Sequence, residues 1–147
     1  MILGEGRERP HLTALAEALG ITTDLALPGF VANPYGFLAR CQVFAHPSRF
    51  EGSPIVVMEA VGLGANIVCS DCPSGPTEIL QGGRYGRLFK VGDVAGLAHA
   101  LRAALDTPMT PAWVREAARP FQLDESVAAY LAALGLSYPG KAAMDQR

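Results

Sequence analysis

The chain has 147 residues, half of them hydrophobic, and its 12 Lys and Arg against 14 Asp and Glu give a formal net charge of −2. That length fits one domain with enough apolar material for a full core and excludes a disordered tail. Without a Lys/Arg cluster, a run of about 18 apolar residues or a basic-then-apolar N-terminus, the sequence speaks against nucleic acid, a membrane span and a signal peptide, so the cytoplasm is expected.

Met1 to Leu3 reads as the end of a strand, and Gly4-Glu5-Gly6 as the turn into a helix from about Arg9 to Leu19. Leu12, Leu15, Ala16 and Leu19 recur at helical spacing, Pro10 suits the first turn, and Gly20 closes it. Gly-x-Gly after a strand also suggests a dinucleotide site, but position 9 holds Arg where a third glycine belongs. Leu25 to Leu27 reads as a short strand, and Asn33 as the cap of a helix with Pro34 at its first position and Tyr35, Leu38 and Ala39 turned inward. Val43-Phe44-Ala45 is expected as a central strand, Ile67-Val68-Cys69 as a parallel strand buried on both faces, Gly75 to Leu80 as a short helix, and Gly86 to Phe89 as the last strand. From Asp93 onward the pattern is helical. Asp93 caps Val94 to Leu105, whose stripe is Leu97, Ala98, Leu101 and Leu105, while Pro108 and Pro111 separate it from helices around Trp113 to Arg119 and Asp124 to Leu134. Alternating strands and helices imply an α/β, doubly wound parallel sheet with a helical C-terminal tail. The domain is expected to span 1–136, with a frayed end over 137–147.

The stretch from His46 to Cys72 carries the chemistry. A β-run leads into the loop Ser48-Arg49-Phe50-Glu51-Gly52-Ser53, and a helix opens at Pro54 with Ser53 as its expected N-cap. The unpaired N–H groups of Ile55 and Val56, with the helix dipole, make a site for an anion such as phosphate. Gly52 puts no side chain between that backbone and a ligand. Glu51 and Glu59 bracket the helix start; the bland alternatives are an exposed loop acid for Glu51 and a helix acid paired to a neighbouring cation for Glu59, and their joint spacing speaks against both. His46 is expected to pack or to bond backbone rather than act as a base, and Arg49 to be solvated.

Glu51 and Glu59 are separated by seven residues within Ser48-Arg49-Phe50-Glu51-Gly52-Ser53-Pro54 and the helix that follows. This resembles the signature of the retaining glycosyltransferases of GT-B fold, group 1, family 4 superfamily. The loop Cys72-Pro73-Ser74-Gly75-Pro76-Thr77-Glu78 is similar to the family's Gly-x-x-Glu loop, in a form found in members that build bacterial glycans, and Ile2-Leu3-Gly4-Glu5-Gly6 is a third match. Their order from residue 1 to about 106 resembles the Rossmann-like, donor-binding C-terminal half. The resemblance implies that a nucleoside diphosphate-sugar is the substrate, UDP-linked more than GDP-linked, with no metal or other cofactor. It gives Glu59 the ribose hydroxyls and Glu51 the donor sugar at the reacting carbon, and gives the backbone of Gly52, Ser53 and Ile55 the sugar or diphosphate. Gly4 and Gly6 lie by the phosphates or form a plain tight turn, the backbone of Phe30 and Val31 borders the base, and Glu78 supports the loop beneath.

The resemblance also implies what a single half lacks. The family's phosphate-binding Arg and Lys precede the opening strand, and an N-terminal acceptor-binding domain forms the other cleft wall. Both are absent from the sequence, so weak donor binding, no transfer by this chain alone, and a requirement for that domain or a partner chain are expected. Apolar surface facing it would favour self-association, and membrane contact would be peripheral, through the complete enzyme. A non-catalytic nucleotide-sugar-binding module and a plain interaction domain are the other readings. Cys69 and Cys72 form a C-x-x-C, but no second pair exists for zinc and Pro73 follows at once, so they read as a strand-end and a loop cysteine rather than a redox pair.

Overall fold

A computed structural model of the chain describes residues 1–138, which divide into two units, Met1–Gly36 and a second beginning at Phe37. Residues 139–147, most of the expected frayed end, lie outside the described residues.

In the first unit, helix α1 (Arg9–Ala18) has Pro10 in its first turn and Gly20, at φ +68°, just past its end. The two strands expected here do not form a ladder. Met1 to Leu3 runs beside residues 26–29 through Ile2 N–H to Ala26 O at 2.9 Å, Gly4 N–H to Gly29 O at 2.8 Å and one parallel bridge, Leu3 to Gly29. Glu5 and Arg9 lock the turn instead. Arg9 Nε and Nη2 donate to the two Glu5 carboxylate oxygens at 2.6 and 2.7 Å, and Arg9 Nη1 donates to Leu27 O at 3.0 Å. The arginine therefore occupies with a fork the position where a dinucleotide turn needs a glycine. Helix α2 (Tyr35–Leu38) runs through residues 36 and 37, where the two units divide, with Tyr35 N–H bonded to Asn33 Oδ1 at 3.1 Å. Of the residues expected to turn inward only Leu38 is buried; Tyr35 is 48% exposed and Ala39 is exposed.

The second unit is built on a parallel sheet of β1 (Phe44–His46), β2 (Ile67–Ser70) and β3 (Arg87–Phe89), in that spatial order. The central strand is β2, not β1 as expected, because among the described residues β1 pairs only with β2. All four residues of β2 are buried, since helices cover both faces. Ile67 and Cys69 join Val57, Ala60 and Val61 of α3 (Ile55–Leu63) in one core; Val68 joins Phe89, Ala100 and Ala104 in the other. The alternation of β2 side chains thus divides the two layers.

Helix α4 (Pro76–Ile79) leads to β3, and α5 (Val94–Asp106) starts where Asp93 Oδ1 accepts the Gly96 N–H at 2.8 Å. Its buried stripe is Leu97, Ala100, Leu101 and Ala104, one position round from the expected one: Leu105 is 53% exposed. The small Ala100 and Ala104 let the helix backbone approach the sheet. Asn66 fixes that approach, donating its side-chain N–H groups to Ala104 O at 2.8 Å and Gln42 O at 3.2 Å. Pro111 opens α6 (Pro111–Arg115) rather than separating helices, a 3-10 turn (Glu116–Phe121) carries Pro120, and α7 (Leu123–Ala133) ends the described helices. At Gly64, φ +75°, an added Cβ would lie 2.7 Å from Pro111 O, so this glycine lets α6 close on the end of α3. Tyr138 donates its hydroxyl to Asp124 Oδ1 at 2.7 Å.

Candidate functional site

The loop between β1 and α3 leaves the carboxyl end of the sheet, where ligands bind in open α/β folds. Pro54, not Ser53, is the N-cap: its backbone is extended at ψ 95°, and its carbonyl accepts the Val57 and Met58 N–H groups at 3.0 and 3.3 Å. The helix therefore begins one residue later than expected, and Ser53 makes no cap bond and stays exposed. A neighbour decides this. Pro54 is buried against Gly75, where φ is +78° and an added Cβ would sit 2.5 Å from Pro54 Cδ and 3.2 Å from Gly52 O. Among the described residues no acceptor pairs with the N–H groups of Ile55 and Val56, the first two of the helix.

The underside of the loop is pinned by hydroxyls. Ser70, 1% exposed at the end of β2, donates to the carbonyl of Ser48 and reaches that of His46 at 3.5 Å. Ser74 Oγ lies 2.8 Å from Glu51 O. These contacts fix the backbone that carries Glu51. Its carboxylate meets His46, whose Nε2 stands 2.8 Å from Glu51 Oε1, with the two side chains 20% and 23% exposed. The Ser48 hydroxyl and then the His46 ring hold Glu51 below the usual carboxylate range, so it is ionised at neutral pH.

Glu59 lies one turn into α3, half-buried, and the helical repeat sets it beside Ile55 and opposite the buried stripe of Val57, Ala60 and Val61. Glu51, Gly52, Ser53, Ile55 and Glu59 are thus gathered on one loop and one helix face. An added Cβ at Gly52 would meet nothing within 4 Å, so no packing within the protein demands that glycine. Ile55 and Phe50 beside it are 68% and 79% exposed. Arg49 is exposed as expected. Glu78 is exposed too, and the loop is supported by Ser74 and Gly75 in its place.

Of the first unit's residues, Gly4, at φ +103°, and Gly6 border a cavity of about 320 Å³ together with Leu3, Leu12 and Leu27. Phe30 is 83% exposed and Val31 half-buried. Cys69 and Cys72 are buried free thiols, and burial pushes Cys69 up to about 12, which removes it from thiolate chemistry. Among the described residues no group of three or more His, Cys, Asp or Glu is placed to hold a metal ion.

The sequence profile described as Glycosyl transferases group 1 matches residues 1–107. The chain belongs to that family. This group 1 glycosyltransferase chain is 34% identical over 106 residues to a Campylobacter jejuni N-acetylgalactosaminyltransferase acting on a diphospho-undecaprenol glycan, covering 72% of the chain and 29% of the relative. It is 29% identical over 104 residues to the Escherichia coli lipopolysaccharide 1,6-galactosyltransferase, covering 68% and 29%. The chain therefore spans about three-tenths of the length of these relatives. Its fold matches the lipopolysaccharide outer core galactosyltransferase WaaB with a TM-score of 0.82 over 91% of the chain and 39% of that structure, at 21% identity. Anabaena HepE in complex with UDP matches with a TM-score of 0.73 over 90% of the chain and 39% of that structure, at 23% identity. The doubly wound sheet with its helical C-terminal segment is thus a group 1 GT-B glycosyltransferase fold.

His46, Ser70, Ser74 and Gly75 are the parts that sequence reasoning missed. The available signal was a polar residue, Ser70, ending an otherwise apolar strand.

Proposed function

We infer that this chain forms the donor-binding part of a retaining glycosyltransferase, which moves a sugar from a nucleoside diphosphate-sugar to a glycan or lipid-linked acceptor. The observation that carries the reading is the β1–α3 loop: an ionised, anchored Glu51, the free N–H groups of Ile55 and Val56, and Glu59 one turn on. Free N–H groups and a helix dipole favour a diphosphate, and an ionised carboxylate accepts sugar hydroxyls strongly. In this reading Glu51 meets the transferred sugar and lowers the energy of positive charge at its anomeric carbon, Gly52, Ser53 and Ile55 offer backbone to sugar and diphosphate, and Glu59 accepts the ribose hydroxyls. Gly52 is required by the donor rather than by the fold, which fits the open space in front of it.

The nucleotide is UDP in preference to GDP, a preference supported by the UDP complex of HepE. No metal or cofactor takes part. Relatives that act on lipopolysaccharide or on an undecaprenol-linked glycan support a bacterial glycan acceptor. No helix among the described residues is long and apolar enough to cross a membrane, and the reading places the protein in the cytoplasm, meeting a lipid-linked acceptor at the membrane's inner face. Transfer also requires an acceptor-binding domain, in the same polypeptide or a partner, and this chain alone binds donor weakly and transfers nothing.

A thermal shift series with UDP, GDP and ADP tests the reading. UDP at about 100 times its Kd should stabilise the fold by about 2.7 kcal/mol. Glu59→Ala should abolish that rise while leaving the ligand-free melting point near that of the parent. A melt that no nucleotide moves, or one that UDP moves equally in both proteins, would overturn it.

A further inference from the structure

His46 meets Glu51 from the sheet rather than from the loop. It is the last residue of β1, paired in register with Cys69 of β2, and its ring stacks with that of Phe44 at a centroid distance of 6.0 Å and an angle of 26°. Its carbonyl is within reach of the buried Ser70 hydroxyl. The ring is therefore fixed by the strand, by a neighbouring aromatic and by its own backbone, and its Nε2 stands 2.8 Å from Glu51 Oε1. Glu51, by contrast, sits on an irregular loop, where a free carboxylate would sample several rotamers.

We propose that His46 is a positioning residue: the strand-anchored imidazole holds Glu51 Oε1 with an Nε2–H bond, so that the remaining carboxylate lone pairs stand ready for donor sugar hydroxyls. A carboxylate accepts about four hydrogen bonds, so the bonds from His46 and the Ser48 hydroxyl leave capacity for a ligand. Pre-ordering the acid removes rotamer entropy that donor binding would otherwise have to freeze. The titratable groups that face the carboxylate are His46 from β1 and Cys69 from β2, and the Cys69 thiol stays neutral.

The proposal deepens the donor-binding reading, and the two fail by different measurements. Carboxyl-carbon NMR of Glu51 across an acid titration reads the contact without any ligand. His46→Ala should move the Glu51 midpoint up toward the ordinary carboxylate range, and His46→Gln, which keeps a side-chain N–H donor, should restore part of the shift. Calorimetry of the chain with UDP and with UDP-hexoses reads the consequence: the ratio of nucleotide-sugar to UDP affinity should fall about tenfold in His46→Ala and recover in His46→Gln. A general loss of stability would lower both affinities and leave their ratio unmoved. An unshifted Glu51 midpoint in His46→Ala, or an unshifted ratio, overturns the positioning role. If the parent chain binds neither UDP nor any UDP-hexose, the donor reading falls and the sugar-directed role falls with it, whereas a shifted midpoint would still establish the His46–Glu51 contact.

Discussion

The chain contains the same local device twice, an extended segment running through a glycine turn into a helix, and the two copies are held in different ways. At Gly4 to Gly6 the Gly4 N–H bonds Gly29 O and Arg9 reaches Leu27 O, but the side-chain fork that closes the turn is local and largely solvated: Glu5 and Arg9 are four residues apart, with side chains 56% and 36% exposed. At Glu51 to Pro54 the turn is held by residues about 20 positions away, the buried Ser70 and the loop of Ser74 and Gly75. A turn closed by local, solvated contacts tolerates change, because water replaces what is lost. One closed by buried, non-local contacts does not, because a removed group leaves an unpaired carbonyl or a clash. The second kind suits a loop that must present a carboxylate in one geometry.

Adding one methyl to each turn separates them most widely. Gly75→Ala forces a positive φ on a residue whose Cβ would lie 2.5 Å from Pro54 Cδ, whereas Gly4→Ala meets only the backbone strain of φ +103° in open space. The first should cost about 3 kcal/mol in urea denaturation and the second about 1. Equal costs would erase the distinction. Hydroxyl removal comes next: Ser70→Ala leaves two loop carbonyls short of a buried donor and should cost about 2 kcal/mol. Glu5→Gln, at an exposed site, should leave the urea midpoint within experimental scatter. A larger loss from Glu5→Gln than from Ser70→Ala would reverse the ranking.

Below the effects of Gly75→Ala and Ser70→Ala stands an electrostatic one. Glu51 is held below the usual carboxylate range, so its ionised form adds stability that is fully present above the ordinary value near ~4.3 and is lost as pH falls through its lowered folded value. With the side chain 23% exposed, the contribution should stay under about 1 kcal/mol. Melting curves of the parent and Glu51→Gln should therefore converge as the pH falls below the ordinary carboxylate value and through the lowered folded one. A difference that widens toward acid would show that the carboxylate is not stabilised in the fold.

Much of the fold is legible in the sequence. The apolar run Ile67 to Cys69 marked the buried strand, and Asp93 marked the start of α5, because a capping side chain acts on an N–H three residues away. The α5 stripe was read one position off, because Leu105 satisfied the helical period while small alanines set the contact with the sheet. Strand order was not legible either. Val43 to Ala45 looks like a central strand by composition, yet pairing with β2 alone makes it an edge. Around the site, Glu51, Gly52 and Glu59 were visible in their spacing, whereas Ser53 was taken for the cap on its residue type. His46 packs on Phe44, as its place at the strand end implies, and also meets Glu51, a contact that no local pattern signals.

Local spacing settles that an acid precedes a helix with free N–H groups and that a second acid follows one turn in, since these features depend on neighbours a few residues apart. Long-range contacts settle that Pro54 caps the helix, that Ser70 and Ser74 hold the loop and that His46 meets Glu51. The reason is physical: those contacts join strand ends and loops far apart in the chain, and no local propensity encodes which buried hydroxyl will find which carbonyl once the sheet has formed.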